Sequence, residues 1–142
     1  MPSACTVLLR GTSFTSVPRH HTPMTEPLLL TSTRVTTFDG GRLLTGASGF
    51  FFERDGQLFF VTSRHVLYDG PSSHRPNRIE IEVHVDPVNL TRSFQVSIWL
   101  YKDGKSQWRQ GSDSGGEIDV AVLEVGRRLL PPPPHLWLFS RE

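Results

Sequence analysis

The sequence predicts an all-β domain, a single antiparallel β-barrel, and three observations carry that prediction. Arg78 to Val85 alternates strictly between apolar and polar residues, the period of a half-buried strand. Turn signals of the hairpin type, Asp39-Gly40-Gly41, Arg54-Asp55-Gly56-Gln57 and Lys102-Asp103-Gly104-Lys105, separate the apolar runs. Finally, Ile118 to Val125 is apolar on both faces apart from Asp119 and Glu124, as expected of a strand enclosed in a closed barrel.

The 142 residues fit one domain. Residues 1–27 are rich in Thr, Ser, Pro and His without periodicity and read as a disordered leader. Val7-Leu8-Leu9, cut short by Arg10, is too brief for the apolar core of a secretory signal. Met24 is an alternative start. His20 and His21 are neighbours and fall on opposite sides of an extended chain, with no second His or Cys pair at ligand spacing, so no metal is expected. Leu28 to Phe38, with β-branched residues at Thr31, Thr33, Val35, Thr36 and Thr37, is the first strand.

Gly46 to Leu67 is the stretch around which the rest is organised. Phe50 to Phe52 and Leu58 to Val61 form a hairpin about the Arg54 to Gln57 turn, and the second strand delivers His65 where its alternation stops. Asp69 to Asn77, with Gly, two Pro and two Ser, is a loop. In the next strand Ile79, Ile81, Val83 and Val85 face inward, which leaves His84 on the solvent face. Phe94, Val96, Ile98 and Leu100 face inward by the same period, and Ser106 to Arg109 is a short return strand. Asn89-Leu90-Thr91 fits a glycosylation sequon, idle if the chain carries no signal peptide. Past Val125 the pattern fails: Gly126-Arg127-Arg128 breaks the strand, Pro131 to Pro134 dictate polyproline II, and residues 126–142 form a Pro-rich tail to the 28–125 domain.

Gly46-Ala47-Ser48-Gly49-Phe50, the hairpin, and Val61-Thr62-Ser63-Arg64-His65-Val66 together resemble the first-barrel signature of the trypsin-like (chymotrypsin-fold) serine peptidases. Glu117-Ile118-Asp119-Val120-Ala121-Val122-Leu123 resembles that family's second signature, an Asp opening an apolar strand. Their order is also the family's. The resemblance covers about Thr31 to Val125 and implies the family's N-terminal barrel, with His65 as general base and Asp119 as the carboxylate that orients it. It implies peptide-bond hydrolysis with peptide or protein substrates and no cofactor. The chain to Glu142 has no room for the second barrel that carries nucleophile and oxyanion hole, so the expectation is a truncated or split peptidase, inactive alone, whose second barrel is supplied in trans.

Asp113-Ser114-Gly115-Gly116 spells most of the family's nucleophile motif, but Ser114 precedes Asp119 rather than following it, and it reads as a hydrophilic turn. Two other readings remain: a β-barrel module that binds an extended peptide by strand addition beside His65, and a diverged hydrolase using Ser114. A net charge of +1 with no basic stripe excludes nucleic acid as an expected partner. No apolar run approaches the roughly 18 residues of a membrane span, and the lone Cys5 cannot form an internal disulfide. The expectation is a soluble, cytoplasmic protein.

Overall fold

The computed structural model describes residues 32–86, 88–89, 91–130 and 139–140. The leader, the first residues of the predicted opening strand, Cys5, His20, His21 and the proline run lie outside them. The protein is all-β, with strands β1 (Ser32–Asp39), β2 (Arg42–Arg54), β3 (Gln57–Thr62), β4 (Arg78–His84), β5 (Ser93–Trp99), β6 (Tyr101–Lys102), β7 (Lys105–Ser106), β8 (Trp108–Asp113), β9 (Gly116–Glu124) and β10 (Phe139–Ser140). A short α-helix, α1 (Arg64–Leu67), follows β3, and a single 3-10 turn, Arg127–Leu129, follows β9. No helix among the described residues is long and apolar enough to cross a membrane.

The hairpin turns form where the sequence marks them. Asp55 and Gly56, and again Asp103 and Gly104, all have positive φ, the two-residue turn whose twist matches the flanking strands. β2 extends well before the Phe50 run because Arg42 to Phe50 pairs with β1 in antiparallel register, with one shift near Thr37 that leaves Leu44 unmatched. β2 then pairs with β3 only from Gly49 onward.

The sheet is open rather than a closed barrel. Its pairing order is β5-β4-β1-β2-β3-β9-β8, with β10 added in parallel to β2 at Phe52 and Glu53. Between β5 and β8 the chain leaves the sheet as a separate hairpin, β6-β7, at whose base the Gln107 N–H donates to the Leu100 carbonyl, and among the described residues no ladder pairs β5 with β8. The curled sheet still encloses one core: Val35, Phe51, Leu58, Phe60, Ile79, Ile81, Val83, Val96, Leu100, Ala121 and Leu123, closed off by Val66 and Leu67 of α1 and by Leu130. Phe51 and Phe60 meet edge to face at 5.5 Å, a preferred aromatic geometry.

Two inward assignments need correction. Phe94 is 45% exposed although it shares a face with buried Val96, because none of the described residues covers the open end of β5. Ile118 to Val125 is not enclosed on both faces: Gly116 to Val120 is exposed and only Ala121, Leu123 and Val125 are buried. β3 supplies the reason, since it pairs with β9 from Ala121 to Glu124 and no further.

Candidate active site

β3 ends at Thr62, opposite Ala121 of β9. Continued by two residues, that antiparallel register brings Asp119 beside the first turn of α1, where helical N–H groups have no intrahelical partner. Ser63 precedes the helix in extended backbone but makes no side-chain cap. The cap comes from the neighbouring strand: Asp119 Oδ1 accepts the His65 backbone N–H at 3.0 Å. The other oxygen, Oδ2, lies 2.7 Å from His65 Nδ1. One carboxylate thus holds both the backbone and the ring of the same histidine.

A distortion in β9 frees that carboxylate. Between Gln110 and Ser112 the β8-β9 register shifts, so that Ile118, Asp119 and Val120 stand opposite the single residue Gly111. Such irregularities re-aim side chains and favour functional sites. Gly111 inside a strand pattern was the available sequence signal for it.

The histidine is anchored from three further directions. Val66 and Leu67 bury the opposite face of α1. His74 donates Nε2–H to the Val66 carbonyl at 2.9 Å, while Asp69 and His74 exchange both backbone hydrogen bonds. Thr62 Oγ1 donates to the Ser48 carbonyl at 2.9 Å and ties the end of β3 to β2. Gly49, opposite Thr62, is required sterically: a Cβ there would stand 2.4 Å from the Phe60 ring and 2.5 Å from the Val61 carbonyl oxygen. The Gly-x-Ser-Gly-Phe pattern therefore has a packing cause. The helix itself and the His74 contact were not legible in the sequence.

The pair is solvent-accessible, with side chains 59% exposed for His65 and 53% for Asp119. Asp119 is not a buried carboxylate forced to find a partner, yet it has one. The His65 backbone N–H, then the hydrogen bond to the imidazole, hold its carboxyl below the usual carboxylate range, with the charges of His65 and Arg64 adding to the effect. An ionised carboxylate at Nδ1 is acceptor-only, so Nδ1 carries a proton and the lone pair of the neutral ring belongs to Nε2.

His65 borders a groove of about 700 Å³ between the Arg42 to Ala47 segment of β2 and the loop carrying Asp69 and Arg75. Among the described residues no strand pairs that part of β2 on its β3 side, leaving backbone hydrogen-bonding groups along one wall. Asp119 borders a second hollow of about 410 Å³ with Ser63, Gly49 and Phe50.

His65 and Asp119 are brought together as the sequence suggested. Ser114 is not brought to them. It occupies the tip of the β8-β9 hairpin, where Asp113 Oδ1 accepts the Gly115 N–H at 2.7 Å. Gly116 alone stands about 10 Å from Asp119 at the usual rise per strand residue, and no hydrogen bond joins Ser114 to His65 among the described residues. Asp86 Oδ1 accepts the N–H groups of Val88 and Asn89. Among the described residues no three His, Cys, Asp or Glu side chains cluster as metal ligands. No protein-family model matches the chain, and neither a curated protein nor a solved structure matches it.

Proposed function

We propose that these residues form the base-bearing half of a trypsin-like serine peptidase, whose nucleophile belongs to a second barrel. The observation that carries this reading is the two-point hold of Asp119 on His65, with 3.0 Å to the backbone nitrogen and 2.7 Å to Nδ1. In acyl transfer a seryl hydroxyl attacks the peptide carbonyl. His65 Nε2 takes the hydroxyl proton and returns it to the leaving amine, while Asp119 keeps the ring in the productive tautomer and stabilises its charged form. The unpaired wall of β2 beside His65 offers main-chain partners to an extended peptide.

The same wall favours a second reading, a peptide-binding module without catalysis. The diverged hydrolase using Ser114 draws no support from a serine on an exposed hairpin tip. Mixing the full chain with a serine-bearing second-barrel fragment of a trypsin-like peptidase, and following cleavage of a peptide ester, separates the readings. Hydrolysis that requires both parts, vanishes with His65→Ala and falls by about 10⁴-fold with Asp119→Asn is the expected result. Peptide binding without hydrolysis in any mixture supports the module. Turnover by the chain alone, abolished by Ser114→Ala, overturns both.

A further inference from the structure

The two ends of the open sheet are protected very differently. β8 carries Arg109 and Asp113, contains Gly111 and is irregular against β9, all features that discourage pairing with another chain. β5 has none of them. Ser93-Phe94-Gln95-Val96-Ser97-Ile98-Trp99 contains no charge, proline or glycine, and it pairs with β4 over seven consecutive residues without a register shift. Among the described residues no strand pairs with its other edge. At the Trp99 end a cleft of about 600 Å³ lies between Ile98 and Trp99 on one side and Arg109 and Val122 on the other. Trp99 is 59% exposed.

From this we infer that β5 is a homodimerisation edge, pairing antiparallel with β5 of a second copy about a two-fold axis at Val96. The occupant follows from the strand's self-complementarity. Antiparallel pairing about Val96 places Phe94 opposite Ile98 of the partner, twice, and keeps both on the core-facing side. It covers the exposed Phe94 with a β-branched neighbour, a favourable cross-strand pair. Gln95 meets Ser97 and Ser93 meets Trp99 on the outer face, so no like charges oppose. A two-fold axis normal to the sheet preserves which face is inner, and it uses up one edge of each copy, so the assembly closes at two. An interface of one strand is smaller than a standard stable one, which makes the dimer concentration-dependent.

Sedimentation of the full chain over a range of concentrations tests this, with twice the monomer mass expected at the upper end. Gln95→Lys and Ser97→Lys combined put lysines opposite each other twice in this register and should weaken association by about tenfold. Ser97 accepts from Arg78 within the chain, so a second measurement adds no charge. In a Cys5→Ser background, chains bearing Gln95→Cys and chains bearing Ser97→Cys should form a disulfide-linked dimer when mixed, and neither should do so comparably alone. A monomer at every concentration, a lysine variant that associates as well as the parent, cross-linking indifferent to position, or assemblies growing past two would each overturn the proposal.

Discussion

Replacing Asp119 by Asn is the most informative single change, because it keeps the shape of the side chain and removes one of its two roles. Asn retains a carbonyl oxygen for the His65 backbone N–H, which Asp119 now accepts at 3.0 Å. Its amide nitrogen then falls where Oδ2 accepts from Nδ1 at 2.7 Å. Two donors cannot face each other, so the ring must shift its proton to Nε2, and the lone pair on the groove side disappears. A hydrogen bond to a charged group contributes about 1.5–3 kcal/mol, but side chains more than half exposed are screened, and exposed ion pairs contribute about 0–1 kcal/mol. The expected loss of stability is therefore about 1 kcal/mol, a minor part of the 5–15 kcal/mol typical of a domain. Nitrogen-15 NMR of the His65 ring reads the tautomer directly, and urea denaturation reads the stability. A ring that keeps its proton on Nδ1 in the variant, or a loss above about 3 kcal/mol, would refute the account of Asp119 as an orienting group on an exposed site.

Three other outcomes follow from the same geometry. Asp119 and Asp86 both have carboxyls held below the usual range, the former chiefly by the His65 N–H and the latter by the Val88 and Asn89 N–H groups. The folded state then binds fewer protons than the unfolded one, so their contribution is complete above the unfolded value of about 3.9 and is lost as pH falls through the lower folded values. Denaturation midpoints should drop on acidification below about pH 4, and less steeply in Asp119→Asn. Gly49→Ala forces a Cβ into the Phe60 ring and the Val61 carbonyl and should cost about 1–3 kcal/mol by thermal melting, whereas Gly41→Ala, with open space around it, should melt close to the parent. Leu67→Ala removes a fully buried side chain beneath α1 and should cost about 2–5 kcal/mol, with faster hydrogen exchange at the His65 amide as the sign that the anchor of the site has loosened.

The strands and their turns were legible in the sequence because they depend on local chemistry. Asp55-Gly56 and Asp103-Gly104 tolerate positive φ, and the alternation from Arg78 to His84 survives as buried Ile79, Ile81 and Val83. The juxtaposition of His65 with Asp119 was legible only through a motif resemblance; alternation alone puts each residue at a strand end and says nothing of their distance. Register decided the rest. β3 stops pairing at Ala121, β9 bulges opposite Gly111, and α1 turns away after Thr62, so Asp119 becomes an exposed cap on a helix that periodicity did not reveal. The same logic made Phe94 misleading: its place on the inner face follows from period two, but its exposure follows from β5 having no second strand neighbour among the described residues. A sequence read by period fixes which way a side chain leans from its own strand. Whether another strand is there to cover it depends on pairing between distant segments, and that is settled only when β6 and β7 leave the sheet and keep β5 and β8 from joining.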